Sequence, residues 1–260
     1  MNVVVCVKQI PDPAAPQSLD GENRLSRTGK MILDEADTYG VEVALRLVEA
    51  AGDGEVSLVS MGDAADLTGI RSALAMGAVR ATVVSDPLLR GADALTTAKV
   101  LAAAVKEGGF DLIVAATESS DGYTGTLPVQ VAQLLDLPAL TFATSVALEG
   151  DHVVVHRQTD AGYDEVVAPV PAVVTVTAGV VEPRYATFKG IMAAKSRPIN
   201  VVTTADLGFA PEDVRVRQEI VGVETSVSRV AGEKIVDDGN AVARIVAYLE
   251  DIKILSGGAS

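Results

Sequence analysis

Short apolar runs and amphipathic stretches alternate along the first half of this chain. Residues 3–7, Val-Val-Val-Cys-Val, form a β-branched run of the length of a buried strand. Residues 9–31 are polar and contain Pro11, Pro13, Pro16 and Gly21, which predicts a long loop or a small hairpin. Asp34 then suits a helix N-cap, and Val41, Leu45 and Val48 recur at i, i+4 and i+7 until Gly52 and Gly54. Residues 56–60 read as the second strand. Leu67, Ile70 and Leu74 mark a helix stopped at Gly77. Residues 81–84 read as the third strand, Leu95, Ala98, Ala102 and Val105 as the next helical face, and residues 112–115 as the fourth strand. A further helix is expected at about 127–135, with Pro128 in its first turn, where proline is tolerated.

From residue 141 the period changes. The alternation around His152–His156 suggests an antiparallel hairpin within 141–176, and residues 173–177 another strand. A helical stretch follows Phe188. Strong periodicity is then lost from about Thr204 until a terminal amphipathic helix carried by Ala241, Ile245 and Leu249. Strand–helix alternation at this spacing implies right-handed crossovers. The expected fold is α/β: an open, mostly parallel, doubly wound, Rossmann-like sheet with an antiparallel hairpin and a C-terminal arm. The expected division is a domain at 1–200 and an arm at 201–260, with the boundary near residues 198–208. An arm of that size buries too little apolar surface to stand alone.

The composition fits this picture. Hydrophobic residues make up 48% of the 260, nearly all aliphatic, as helices packed on buried parallel strands require. A net charge of −14 argues against nonspecific nucleic-acid binding and against an anionic lipid surface. Cys6 is the only cysteine, so an internal disulfide and a cysteine-built metal site are both excluded. No basic leader precedes the first apolar run and no run is long enough to span a bilayer, so the expectation is a cytoplasmic protein without membrane insertion.

The candidate chemical site is the loop at 116–126, Ala-Thr-Glu-Ser-Ser-Asp-Gly-Tyr-Thr-Gly-Thr. It leaves a buried strand and opens a helix. Small residues let a ligand approach the backbone, and helix-terminal amides favour an anion such as phosphate. An ordinary capped turn explains the same residues equally well. Neither G-x-G-x-x-G after the first strand nor a P-loop occurs, which argues against a classical dinucleotide dehydrogenase or P-loop enzyme. No G-x-S-x-G elbow is present. His152 and His156 share one strand face without a third ligand, which reads as solvated hairpin rather than zinc. Cys6 in an apolar strand reads as a small hydrophobe.

Residues 182–197 stand apart. They contain four bases (Arg184, Lys189, Lys195, Arg197) against one acid (Glu182), and two of the nine Phe and Tyr residues, Tyr185 and Phe188. Exposed aromatic rings in a positive segment of an acidic chain read as a docking surface rather than core.

Four segments together resemble the β subunit of electron transfer flavoproteins: Val3-Val-Val-Cys-Val-Lys-Gln-Ile-Pro-Asp12, Ala73-Leu-Ala-Met-Gly-Ala78, Glu118-Ser-Ser-Asp-Gly-Tyr-Thr-Gly125, and Pro171-Ala-Val-Val-Thr-Val176 running on to residues 182–195. The last is the most specific. The resemblance implies an adenine-nucleotide-binding fold, an electron transfer flavoprotein α subunit as partner, and an FAD between the two. It implies electrons received from dehydrogenases, typically acyl-CoA dehydrogenases, and passed to a membrane quinone reductase, as in fatty acid oxidation. The subunit is then an electron carrier without bond-making chemistry of its own. It further implies a structural AMP, replaced by a second FAD in bifurcating members. That site would comprise Cys6, Val7, Asp34 and Met61 around the adenosine, and Ser119, Ser120, Asp121, Gly122, Thr124 and Gly125 at the phosphate. Partner-binding residues would be Arg184, Tyr185, Phe188, Lys189, Ile191, Met192 and Lys195, with Phe188 the apolar anchor. The chain departs from the family pattern in a short loop at 120–125, in Pro13, and in Gln158 where many members have an acid. Gly91-Ala-Asp-Ala-Leu-Thr-Thr97 resembles the bifurcating members instead.

Overall fold

The computed structural model describes residues 1–224, 232 and 234–255; the remaining residues of the expected 201–260 arm lie outside the described residues. The chain falls into two units, 1–221 and 222–260.

In the first unit the order is β1 (Asn2–Cys6), β2 (Gln9–Pro11), β3 (Met31–Leu33), α1 (Glu35–Ala51), β4 (Glu55–Met61), α2 (Thr68–Met76), β5 (Arg80–Val84), α3 (Ala94–Lys106), β6 (Leu112–Ala116), α4 (Leu127–Leu135), β7 (Ala139–Glu149), β8 (His152–Thr159), β9 (Gly162–Pro169), β10 (Ala172–Val176), α5 (Phe188–Ala194) and β11 (Ile199–Val202). Nine strands form one sheet in the order β11-β5-β4-β1-β6-β10-β7-β8-β9. Every neighbour from β11 to β7 is parallel, and β7-β8-β9 is an antiparallel meander. The fold is thus the open, mostly parallel α/β sheet that the periodicity implies. The expected hairpin is larger than its sequence signal: it has three strands, and β7 also pairs in parallel with β10. The polar segment 9–31 closes a small antiparallel ladder between β2 and β3.

The pleat of β1 divides the core. Val3, Val5 and Val7 join an apolar cluster with Val41 and Leu45 of α1 and Ile70 and Leu74 of α2. Val4 and Cys6 join a second cluster with Ala98, Leu101 and Val105 of α3 and Val131 of α4. This is the two-faced burial expected of period-two side chains in a doubly covered sheet. Leu58, Ile70 and Leu74 are fully buried, each contributing roughly 1.5–3 kcal/mol of transfer free energy.

The topology positions the site. From β1 the chain builds β4 and β5 to one side, then returns to place β6 on the other side of β1. The order reverses there, and the carboxyl ends of β1 and β6 open into the crevice where such sheets bind ligands. The second unit contains α6 (Ala241–Asp251), at the expected terminal helix, with no buried residue.

Candidate functional site

Two loops meet at the switch point, one leaving β1 at Lys8 and one leaving β6 at 117–126. Asp34 ties them. It is fully buried. Its Oδ2 accepts from the Ser120 amide at 2.7 Å and its Oδ1 from the Ser120 hydroxyl at 3.0 Å. The same Oδ1 accepts from the Ala36 amide at 3.1 Å, so the α1 N-cap and the β6 loop share one carboxylate. The Asp34 amide donates to the Lys8 carbonyl at 3.0 Å.

Asp121 lies at the centre. Its Oδ1 accepts from Lys8 Nζ at 2.5 Å and its Oδ2 from the Arg27 guanidinium. Lys8 Nζ also donates to the Ser119 hydroxyl at 3.2 Å. Burial raises the Asp121 carboxyl, but the Lys8 hydrogen bond and the charges of Lys8 and Arg27 outweigh it and hold the group below the usual carboxylate range. Behind it, the buried Asp37 accepts from the Lys8 amide at 2.6 Å. Burial, opposed by that bond and reinforced by Asp34, pushes Asp37 well above the usual range.

The remaining expected nucleotide-site residues fall around this cluster. Cys6 ends β1 with its side chain in the second apolar cluster, and burial with the charge of Asp37 pushes its thiol up to about 12. It is an inert thiol. Val7 is buried, its amide bonded to the Val59 carbonyl at 2.9 Å, and Met61 is half-buried at the end of β4. Gly122 and Thr124 are exposed and Gly125 half-buried. A Cβ on Gly122 would stand 3.2 Å from Ser119 Oγ and 3.7 Å from Lys8 Nζ, so glycine keeps the space beside the two loops open. The α4 N-cap, Thr126, makes no side-chain cap bond, which leaves that helix terminus for another acceptor. These features fit a phosphate-bearing group.

The basic segment is pinned to α1. Arg184 Nε donates to Glu42 Oε2 at 2.7 Å and its NH1 to Glu49 Oε1 at 2.6 Å, both acids on α1. Glu42 is buried and also pairs with Arg46 at 2.7 Å. Burial raises Glu42, yet its bonds to Arg184 and Arg46 win and hold it low. The Arg184 charge is therefore answered inside the chain. Tyr185 and Phe188, by contrast, are 90% and 79% exposed, and Ile191, Met192, Lys189 and Lys195 are exposed beside them. Thr187 caps α5 through its hydroxyl, 3.0 Å from the Gly190 amide. At Gly190 the helix lies so close to α2 that a Cβ would stand 2.4 Å from the Ala75 carbonyl oxygen.

Lys8, Arg27 and Asp37 join the site without having been singled out from the sequence. Lys8 carries a signal, a lone base directly after a buried strand. Arg27 sits in an aperiodic segment and meets Asp121 only through the fold, so no local pattern marks it. His152 bonds Asp151 at 2.7 Å, and His156 stacks on Tyr163 at 4.4 Å. Among the described residues no group of three or more His, Cys, Asp or Glu is placed to hold a metal, and no helix is long and apolar enough to cross a membrane.

Comparison with known proteins gives this geometry a context. A family model for the electron transfer flavoprotein domain matches residues 23–207. The chain is 35% identical to the electron transfer flavoprotein subunit beta of Mycobacterium tuberculosis (strain ATCC 25618 / H37Rv), over 98% of this chain and 99% of the relative. Against the Mycobacterium leprae protein of the same name the identity is 36% with the same coverage. It is 33% identical to the caffeyl-CoA reductase-Etf complex subunit CarD of Acetobacterium woodii, over 82% of each chain.

Proposed function

Since this chain belongs to the electron transfer flavoprotein family as a β subunit, we propose that it pairs with an α subunit to hold one FAD between them, and that its own crevice holds an AMP. The bound FAD supplies the electron-carrying chemistry. This chain's residues bind, orient and dock. The observation that carries the reading is the built cluster at the switch point, where Lys8, Arg27, Ser119 and the open backbone at Gly122 converge beside the uncapped start of α4.

In this reading Asp34 fixes the β6 loop through Ser120, and Cys6, Val7 and Met61 line the nucleoside side. The exposed face of Tyr185, Phe188, Ile191 and Met192 meets electron donors, acyl-CoA dehydrogenases in the first instance, and Lys189 and Lys195 meet acids around the docking pocket. Electrons then leave to a membrane quinone reductase. Of the expected arm at 201–260, residues 201–221 belong to the first unit and the remainder packs on the α subunit, and the assembly works in the cytoplasm. Family members of this kind carry electrons and do not make or break substrate bonds, and the subunit is proposed to be no enzyme in itself.

A second reading places another FAD where AMP is expected. Its support is the match to a subunit of a caffeyl-CoA reductase-Etf complex and the segment at 91–97. Co-purification with the α subunit and extraction of the nucleotides separates the two. One FAD and one AMP per heterodimer is the expected yield; two FAD and no AMP selects the second reading, and neither nucleotide rejects both.

A further inference from the structure

We propose that Lys8 and Arg27 are the residues that recognise the ligand's phosphate, and that Asp121 positions these two cations rather than touching the ligand. The inference rests on the nucleotide reading above and deepens it.

The geometry of Asp121 leaves it no role as a phosphate ligand. Its side chain is only 5% exposed, and each of its oxygens already accepts from one cation. A carboxylate in that state repels a phosphate. The two cations face the other way, with 38% of the Lys8 and 43% of the Arg27 side chain exposed. Lys8 Nζ gives one N–H to Asp121 and one to Ser119 Oγ, so one of its three remains. Arg27 gives NH1 to the Gln9 carbonyl at 3.0 Å and NH2 to Asp121, so three of its five N–H groups remain.

Two of the loop's amides are already engaged. The Ser120 amide is spent on Asp34 and the Tyr123 amide on the Ser119 carbonyl at 2.9 Å. Lys8 and Arg27 are the two bases of a cluster whose acid side chains, on Asp121, Asp34 and Asp37, are all buried behind them, inside a chain of −14. A group bearing one or two negative charges and several acceptor oxygens suits that spot, and the planar guanidinium adds a forked donor set. The glycine at 122 leaves room for it next to Lys8 Nζ. Both candidate ligands share this chemistry, AMP through its monophosphate and FAD through its diphosphate.

The test uses the αβ heterodimer freed of nucleotide, titrated calorimetrically with AMP, adenosine and FAD. Lys8→Met and Arg27→Met should each weaken the phosphate-bearing ligand about ten- to hundredfold and leave adenosine within about twofold. Lys8→Arg should recover much of the loss, which a folding defect would not allow. Asp121→Asn, with an unchanged thermal midpoint, should weaken the phosphate ligand and spare adenosine. Loss confined to AMP assigns the pair to a monophosphate; loss confined to FAD assigns it to a diphosphate. Wild-type affinity in both methionine variants overturns the proposal. Tighter binding in Asp121→Asn overturns the positioning role, because Asp121 would then be a competitor for the cations. A wild-type heterodimer that binds none of the three ligands and releases no nucleotide on extraction defeats the nucleotide reading itself.

Discussion

Arg71 and Arg197 cap each other's helices. Arg71, on α2, donates NH1 to the Ala194 and Arg197 carbonyls at 2.6 Å each, at the end of α5. Arg197, just beyond α5, donates NH1 to the Leu74 carbonyl and, at 2.5 Å, to the Ala78 carbonyl, at the end of α2. Each guanidinium satisfies orphan carbonyls and meets the negative end of a helix dipole. The pair locks α5 to α2.

Arg197→Ala should therefore lower stability by about 1–3 kcal/mol, since it removes the guanidinium donor from the carbonyls of two buried residues, Ala78 and Leu74, of which Leu74 keeps only the Gly77 amide. The urea midpoint of the heterodimer measures this. An unchanged midpoint would mean that water replaces the guanidinium without loss.

Gly190→Ala tests the close approach of α5 to α2. The new Cβ meets a backbone oxygen, which cannot swing aside, so a loss of about 1–3 kcal/mol is expected. Gly29 has open space around its Cα, and Gly29→Ala should stay within about 0.5 kcal/mol. Equal midpoints for the two variants would reject the steric argument.

Phe188→Ala should slow reduction of the heterodimer by its dehydrogenase, by the equivalent of ~2 kcal/mol for an anchor in a pocket. Its ring is exposed, so nucleotide content and thermal midpoint should hold. Stopped-flow reduction kinetics at the wild-type rate would remove the anchor role.

Asp37→Asn should stabilise the chain above neutral pH. The folded carboxyl holds its proton above the unfolded value of about 3.9, so the native state binds more protons and stability falls as pH rises through that window. Asparagine still accepts from the Lys8 amide and has no charge to bury. Midpoints measured from pH 5 to 9 should decline less in the variant, and parallel curves would contradict this.

Glu42→Gln should do the opposite at the acid end. The Glu42 carboxyl sits below its ordinary value because Arg184 and Arg46 overcome its burial. Its contribution is present above the unfolded value of about 4.3 and lost as pH falls through the lower folded one. The variant should be less stable at pH 7 by about 1–3 kcal/mol and less sensitive to acid between pH 5 and 3. An acid transition as steep as wild type would sink the assignment.

The central strands were legible because burial on both faces leaves unbroken aliphatic runs, as in β6, and the helices because Val41, Leu45 and Leu74 keep the 3.6 period. Exposure of Phe188 was legible because its neighbours Lys189 and Gly190 continue no apolar face. The meander was only half visible. Exposed strands such as β9 carry only a short apolar run, and the parallel pairing of β7 with β10 joins residues far apart in sequence. The short β11 gave no signal for the same reason. At the site, the loop at 116–126 announced itself by small residues after a strand. The Arg27–Asp121 pair did not, since 94 residues separate its members and only the closed fold unites them.

Helix α1 has the position of a ruler. Its cap, Asp34, grips the crevice loop, and Glu49, near its other end, grips Arg184. At 1.5 Å per residue the two grips stand about 22 Å apart along the axis. The proposed nucleotide crevice and the segment that carries Phe188 thus both bear on one stiff rod. The spacing of those two grips is set by the number of residues in that rod.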